Sequence, residues 1–67
     1  MDTKALVTDR GFIEAFWTLL RSYRAAGSAI SQRAVFEELN EVYLEEFGEP
    51  RFRTFDAFRK CRDRKYK

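Results

Sequence analysis

Histidine is absent from this chain of 67 residues, and cysteine and proline occur once each. Without histidine there is no imidazole base, no His-activated nucleophile and no His metal ligand. The lone Cys61 cannot pair within the chain, and it cannot build a thiolate zinc site, which takes several N/S ligands. One thiol also fits a reducing compartment. The three glycines, Gly11, Gly27 and Gly48, lie far apart, so no glycine-rich loop can cradle a phosphate. No segment approaches ~18 apolar residues, and no apolar run follows a basic N-terminal stretch. The chain is therefore expected to be cytoplasmic, with no membrane span. Carboxylate pairs remain as catalytic candidates, but a chain this short has little room for a cleft and its supporting shell. The expectation is a protein that is not an enzyme, with no metal, no cofactor and no small-molecule substrate.

Aromatic residues are plentiful, with seven Phe, three Tyr and one Trp. A domain of this size buries only roughly three-fifths of its unfolded surface. Large rings raise the area buried per residue. They are the natural substitute for the missing disulfides.

The apolar spacing predicts an all-α, compact three-helix bundle occupying residues 1–67 as one domain, with helices near 9–26, 32–47 and 55–65. Thr8 caps the first helix, Asp9 suits its positive end, and Val7 is placed to staple onto Phe12. Phe12, Phe16, Leu19, Leu20 and Tyr23 share a face, with Ile13 and Trp17 at its edge. Gly27 is the stop. Ser31 caps the second helix, behind Ile30 as a staple for Val35. Val35, Phe36, Leu39, Val42, Tyr43 and Phe47 form its apolar face, and Glu37, Glu38, Asn40, Glu41 and Glu45 cover the rest. Gly48 followed by Pro50 ends it. Thr54 caps the third helix, whose inner side is Phe55, Phe58 and Cys61, joined by the stems of Arg62 and Lys65. Phe52 plugs the bundle end. Residues 1–6 either fray or tuck Leu6 against the core. The short links favour neighbouring helices in one compact bundle.

Charge is unevenly distributed. Residues 1–50 hold five basic and nine acidic side chains, a net −4, whereas residues 51–67 hold eight basic and two acidic ones, a net +6. Such asymmetry points to a polyanionic partner. A basic last helix behind two amphipathic ones also suits a helix-turn-helix-like arrangement, in which that helix enters the major groove. With Phe55 and Phe58 inward, Asp56, Arg59, Lys60, Asp63 and Arg64 face outward. The candidate nucleic-acid-binding set is Arg51, Arg53, Thr54, Arg59, Lys60, Arg64 and Lys67. Arg51, Arg53 and Thr54 are expected to meet phosphates near the helix start, and Arg59 or Lys60 a guanine edge. The stretch Phe52-Arg-Thr-Phe-Asp-Ala-Phe-Arg-Lys-Cys-Arg-Asp-Arg64 resembles the recognition helices of small microbial and phage DNA-binding domains. That resemblance implies duplex DNA as partner and a role as a transcriptional regulator or a phage or mobile-element accessory protein.

Other readings compete. Basic residues near a helix C-terminus stabilise the helix dipole without any ligand, by roughly 0.3–1 kcal/mol each. They can also pair with the acidic second helix, or serve solubility alone. RNA is an alternative nucleic acid, although no single-strand platform is visible. The main functional alternative is a protein-interaction module on the acidic second helix, built from Glu37, Glu41, Leu44 and Glu45, with Trp17 as a further contact and a homodimer as one product. Two features oppose a tight helix-turn-helix. The 48–53 link exceeds its three- or four-residue turn, and the second helix carries many glutamates.

Overall fold

The computed structural model describes residues 3–65. A short 3-10 turn, η1 (Thr3–Val7), leads into α1 (Asp9–Ala25), α2 (Gln32–Phe47) and α3 (Phe55–Lys65). The chain is an all-α three-helix bundle, and its boundaries fall within a residue of those predicted from capping signals. Each helix opens on a hydroxyl that accepts from the third amide beyond it. Thr8 Oγ1 receives Gly11 N at 3.0 Å, Ser31 Oγ receives Ala34 N at 3.1 Å, and Thr54 Oγ1 receives Ala57 N at 3.1 Å. Each cap satisfies an amide that the helix itself leaves open. α1 ends in a pair of backbone bonds, Gly27 N to Arg24 O and Ser28 N to Tyr23 O, both 3.0 Å. That is the Schellman arrangement. α2 ends where Gly48 turns left-handed, with φ 85°, and donates to Leu44 O at 2.8 Å.

The core is a cluster of phenylalanines closed by aliphatic residues. Phe58 of α3 lies at its centre, with ring centroids 5.4 Å from Phe12 and 4.9 Å from Phe16 of α1, 5.1 Å from Phe36 of α2, and 5.4 Å from Phe52 of the link. Leu6, Ile13, Leu20, Val35, Leu39 and Cys61 complete the buried set. Cys61 is thus an interior residue of the core, as its helix position predicts. Outside the cluster, Tyr23 ties α1 to α2 by donating its hydroxyl to Glu38 at 2.8 Å. That hydrogen bond, reinforced by desolvation and the carboxylate charge, holds the Tyr23 phenol above its ordinary value.

Four sequence expectations change. Leu6, not Val7, docks at the N-terminus: Leu6 is fully buried and Val7 is 51% exposed. The η1 turn lies so close to α1 that a Cβ on Gly11 would sit 1.8 Å from Ala5 O, and only glycine permits that approach. Ile13 moves from the edge of the stripe to full burial, because η1 and α2 both pack around the start of α1. Phe47 moves the other way and is 40% exposed, since the buried positions of α2 end at Leu39 and the last turn extends beyond them. Asn40, expected on the solvated side, is a structural latch. Its Oδ1 accepts from Arg51 N (2.9 Å) and Phe52 N (3.1 Å), and its Nδ2 donates to Phe52 O (2.8 Å).

Phe58→Ala is expected to cost about 3–5 kcal/mol, a large share of the stability available to a domain this small. Urea unfolding followed by far-UV circular dichroism reads it directly, and an unchanged midpoint would contradict the central role of this ring. Asn40→Ala leaves three backbone groups of the link without their partner. A loss of roughly 1–3 kcal/mol is expected, with amide exchange accelerating first at Arg51 and Phe52.

Candidate nucleic-acid interface

α3 is positioned by its inner side. Phe58 and Cys61 are buried and Phe55 is half-buried, so Asp56, Arg59, Lys60, Asp63 and Arg64 face solvent. The outward set is the one the helical wheel predicts. Arg62 lies between the two sides. Its guanidinium stands 5.5 Å from the Trp17 ring and 5.9 Å from Phe16, donates to Gln32 Oε1 at 2.7 Å, and pairs with Asp63 at 3.1 Å. It is a packing residue with a charged end.

The predicted cations do not form one unbroken strip. Arg51 departs most from expectation. Asn40 fixes its backbone amide, and the side chain turns toward α1, pairing with Asp9 and packing 4.9 Å over the Phe52 ring. Only 21% of the side chain is exposed. Arg51 therefore joins the link to the start of α1 and is removed from the phosphate-binding set. Thr54 is exposed, but its hydroxyl is engaged in capping Ala57 N. Arg59 and Lys60 stand in solvent and share one carboxylate, Asp56, at 2.7 Å and 3.3 Å. Those two hydrogen bonds, Arg59 first and then Lys60, hold the Asp56 carboxyl below its ordinary value. Arg53 and Arg64 are exposed, with no ion pair among the described residues. Lys67 and the side chain of Lys65 lie outside the described residues.

An open groove of about 510 Å³ separates α2 from the start of α3. Phe36 and Phe55 line it together with the charged side chains Arg33, Arg53, Glu37 and Glu41. Sequence reasoning misses Arg33. It reaches this groove because its guanidinium lies 5.7 Å over Phe55, a contact between helices that no pattern within α2 signals. The mixed charge of the groove matters for ligand approach. Glu37 and Glu41 of α2 share the groove with the start of α3, whose first turn carries Asp56. The cations free of α2 carboxylates, Arg59, Lys60 and Arg64, lie further along the helix.

The alternative protein-binding residues are also clear of the core. Glu37, Glu41 and Glu45 are exposed and unpaired among the described residues, and Leu44 is 37% exposed. Among the described residues, no cluster of three or more metal-ligating side chains occurs, and no helix is long and apolar enough to cross a membrane.

The Asp56 contacts predict a pH effect with a defined sign. A carboxyl whose pKa falls on folding adds stability above its unfolded value, and that stability is lost as pH drops through the folded one. Asp56→Asn is therefore expected to lower the neutral-pH melting point slightly, since the pairs are exposed, and to flatten the acid limb, so that the two proteins converge as pH falls through and below the ordinary carboxylate range. Melting curves for both proteins across that range provide the check. No protein-family model, no curated protein and no solved structure matches this chain, so its functional reading rests on its own geometry.

Proposed function

We propose that this chain binds duplex nucleic acid, with DNA preferred, through the outer face of α3. One observation carries the reading: Arg59, Lys60 and Arg64 are all exposed on a helix whose opposite side is locked into the core. A rigid backing means that little ordering entropy is spent when the helix meets a polyanion. The internal pairs do not prevent this. Exposed ion pairs contribute little and are screened by salt, so a phosphate can take the place of Asp56 beside Arg59 and Lys60. Arg64 needs no exchange.

The geometry favours backbone contact over base reading. In helix-turn-helix docking the N-terminal residues of the recognition helix reach the base edges. Here that end carries Asp56 and adjoins Glu37 and Glu41, which would repel phosphates on either side of a groove. Side-on contact by the later turns of α3 avoids them. Arg53 then contributes to the long-range field and makes no direct contact. Binding of this kind depends mainly on counterion release and discriminates weakly between sequences.

Anisotropy titrations of a labelled random duplex at two salt concentrations test the proposal. The expected outcome is salt-sensitive binding, similar across unrelated sequences. Lys60→Gln with Arg64→Gln should weaken it and reduce the salt slope by about two, one per lost phosphate contact. Asp56→Asn should tighten binding by releasing Arg59 and Lys60. Arg51→Gln, provided it remains folded, should leave affinity unchanged. Absence of binding at low salt, or indifference to the Lys60/Arg64 pair of substitutions, would remove the proposal. Preference for single-stranded RNA over the duplex would redirect it.

A further inference from the structure

The charge order of α2 runs against its own dipole. Helices favour acidic side chains in the first turn and basic ones in the last. α1 obeys, with Asp9 first and Arg24 last, and α3 opens on Asp56. α2 has no acidic residue in its first turn, where Arg33 lies, and no basic residue in its last, where Glu45 and Glu46 lie. Arg33 and Arg53 share a groove with Glu37 and Glu41, but no ion pair compensates for this arrangement among the described residues. Among the described residues Glu37, Glu41 and Glu45 make no ion pair or side-chain hydrogen bond. Along that same ridge the surface turns apolar. Leu44 is 37% and Phe47 40% exposed, and the Phe47 ring packs at a tilt against Tyr43, centroids 4.5 Å apart. Helical spacing puts Glu37, Glu41, Leu44 and Glu45 on one strip with Phe47 at its border.

We infer that this ridge docks a basic segment of another protein, one that carries a large apolar side chain to cover Leu44 and Phe47. Charge decides the occupant. A second copy presenting the same ridge would set glutamates against glutamates. A second copy presenting α3 would supply cations, but among the described residues the outward face of α3 holds no apolar side chain larger than Ala57. Leu44 and Phe47 would remain largely uncovered. Nucleic acid is repelled by the ridge. A cationic amphipathic helix satisfies both requirements at once, with lysines or arginines against Glu37, Glu41 and Glu45 and an apolar anchor between them. The residues of this ridge are distinct from the outward cations Arg59, Lys60 and Arg64 of α3, so separate substitutions probe the two bindings.

The test uses the full chain and labelled synthetic peptides. A helical Leu/Lys amphipathic peptide is expected to bind at least tenfold more tightly than an all-Lys peptide of equal charge or a Leu/Gln peptide of equal hydrophobicity. Leu44→Arg should abolish that binding while leaving helical circular dichroism and DNA affinity intact. Glu41→Gln with Glu45→Gln, a milder change at solvent-exposed positions, should weaken it at least fivefold. Equal binding by the all-Lys peptide would reduce the ridge to a diffuse acidic surface and overturn the inference. So would unaltered peptide binding by either variant. If Leu44→Arg changed DNA affinity and not peptide affinity, the ridge would belong to the nucleic-acid face and the inference would fail, whereas loss of DNA binding alone by the Lys60/Arg64 variant bears only on the role of α3.

Discussion

Phe58 is where the three helices become one structure. α3 is only eleven residues long and is dominated by charged side chains. Isolated helices shorter than about 12–15 residues are marginal in water even with favourable composition. α3 therefore exists as a helix because Phe58 enters a socket made by Phe12, Phe16, Phe36 and Phe52, with Phe55 and Cys61 sealing its sides. The outward cations have no defined arrangement until that ring is seated.

Two devices orient α3 once it is docked. Asn40 holds both amides and one carbonyl of the Arg51–Phe52 link, and Arg51 reaches back to Asp9 at the start of α1. Both act on Arg51, from different helices, and Asn40 holds Phe52 as well. The link from Gly48 to Arg53 is long enough to be loose, yet it is tied to α1 and α2 at its middle. Thr54 then starts the helix at a fixed point. The structure thus compensates for a connection longer than that of a tight helix-turn-helix.

Much of this is legible in the sequence because it is local. Thr8, Ser31 and Thr54 each cap a backbone amide three residues downstream, and Gly27 and Gly48 stop the turns before them, so helix limits need no tertiary information. The inner side of α3 is readable from the spacing of Phe55, Phe58 and Cys61. The features that pattern does not reveal depend on pairs distant in sequence. Asn40 has the same place on the wheel as a solvated residue until the link folds over it. Arg51 looks like one more cation in a basic segment, and only its proximity to Asp9, 42 positions earlier, withdraws it from the surface. The sharing of Asp56 between Arg59 and Lys60 is readable from their i+3 and i+4 spacing. A net charge summed over the segment conceals it, because the sum counts each cation without its nearest carboxylate.

Trp17 is the one tryptophan of the chain, and it lies where α1 meets α3, under the guanidinium of Arg62 and 5.0 Å from Phe16. The indole thus has a neighbour on each of the two helices. Its emission reports the seating of α3 specifically, whereas circular dichroism averages over every turn of the bundle. The molecule carries an intrinsic optical gauge of the one docking event on which its charged surface depends, and that gauge operates without any label attached to the surface itself.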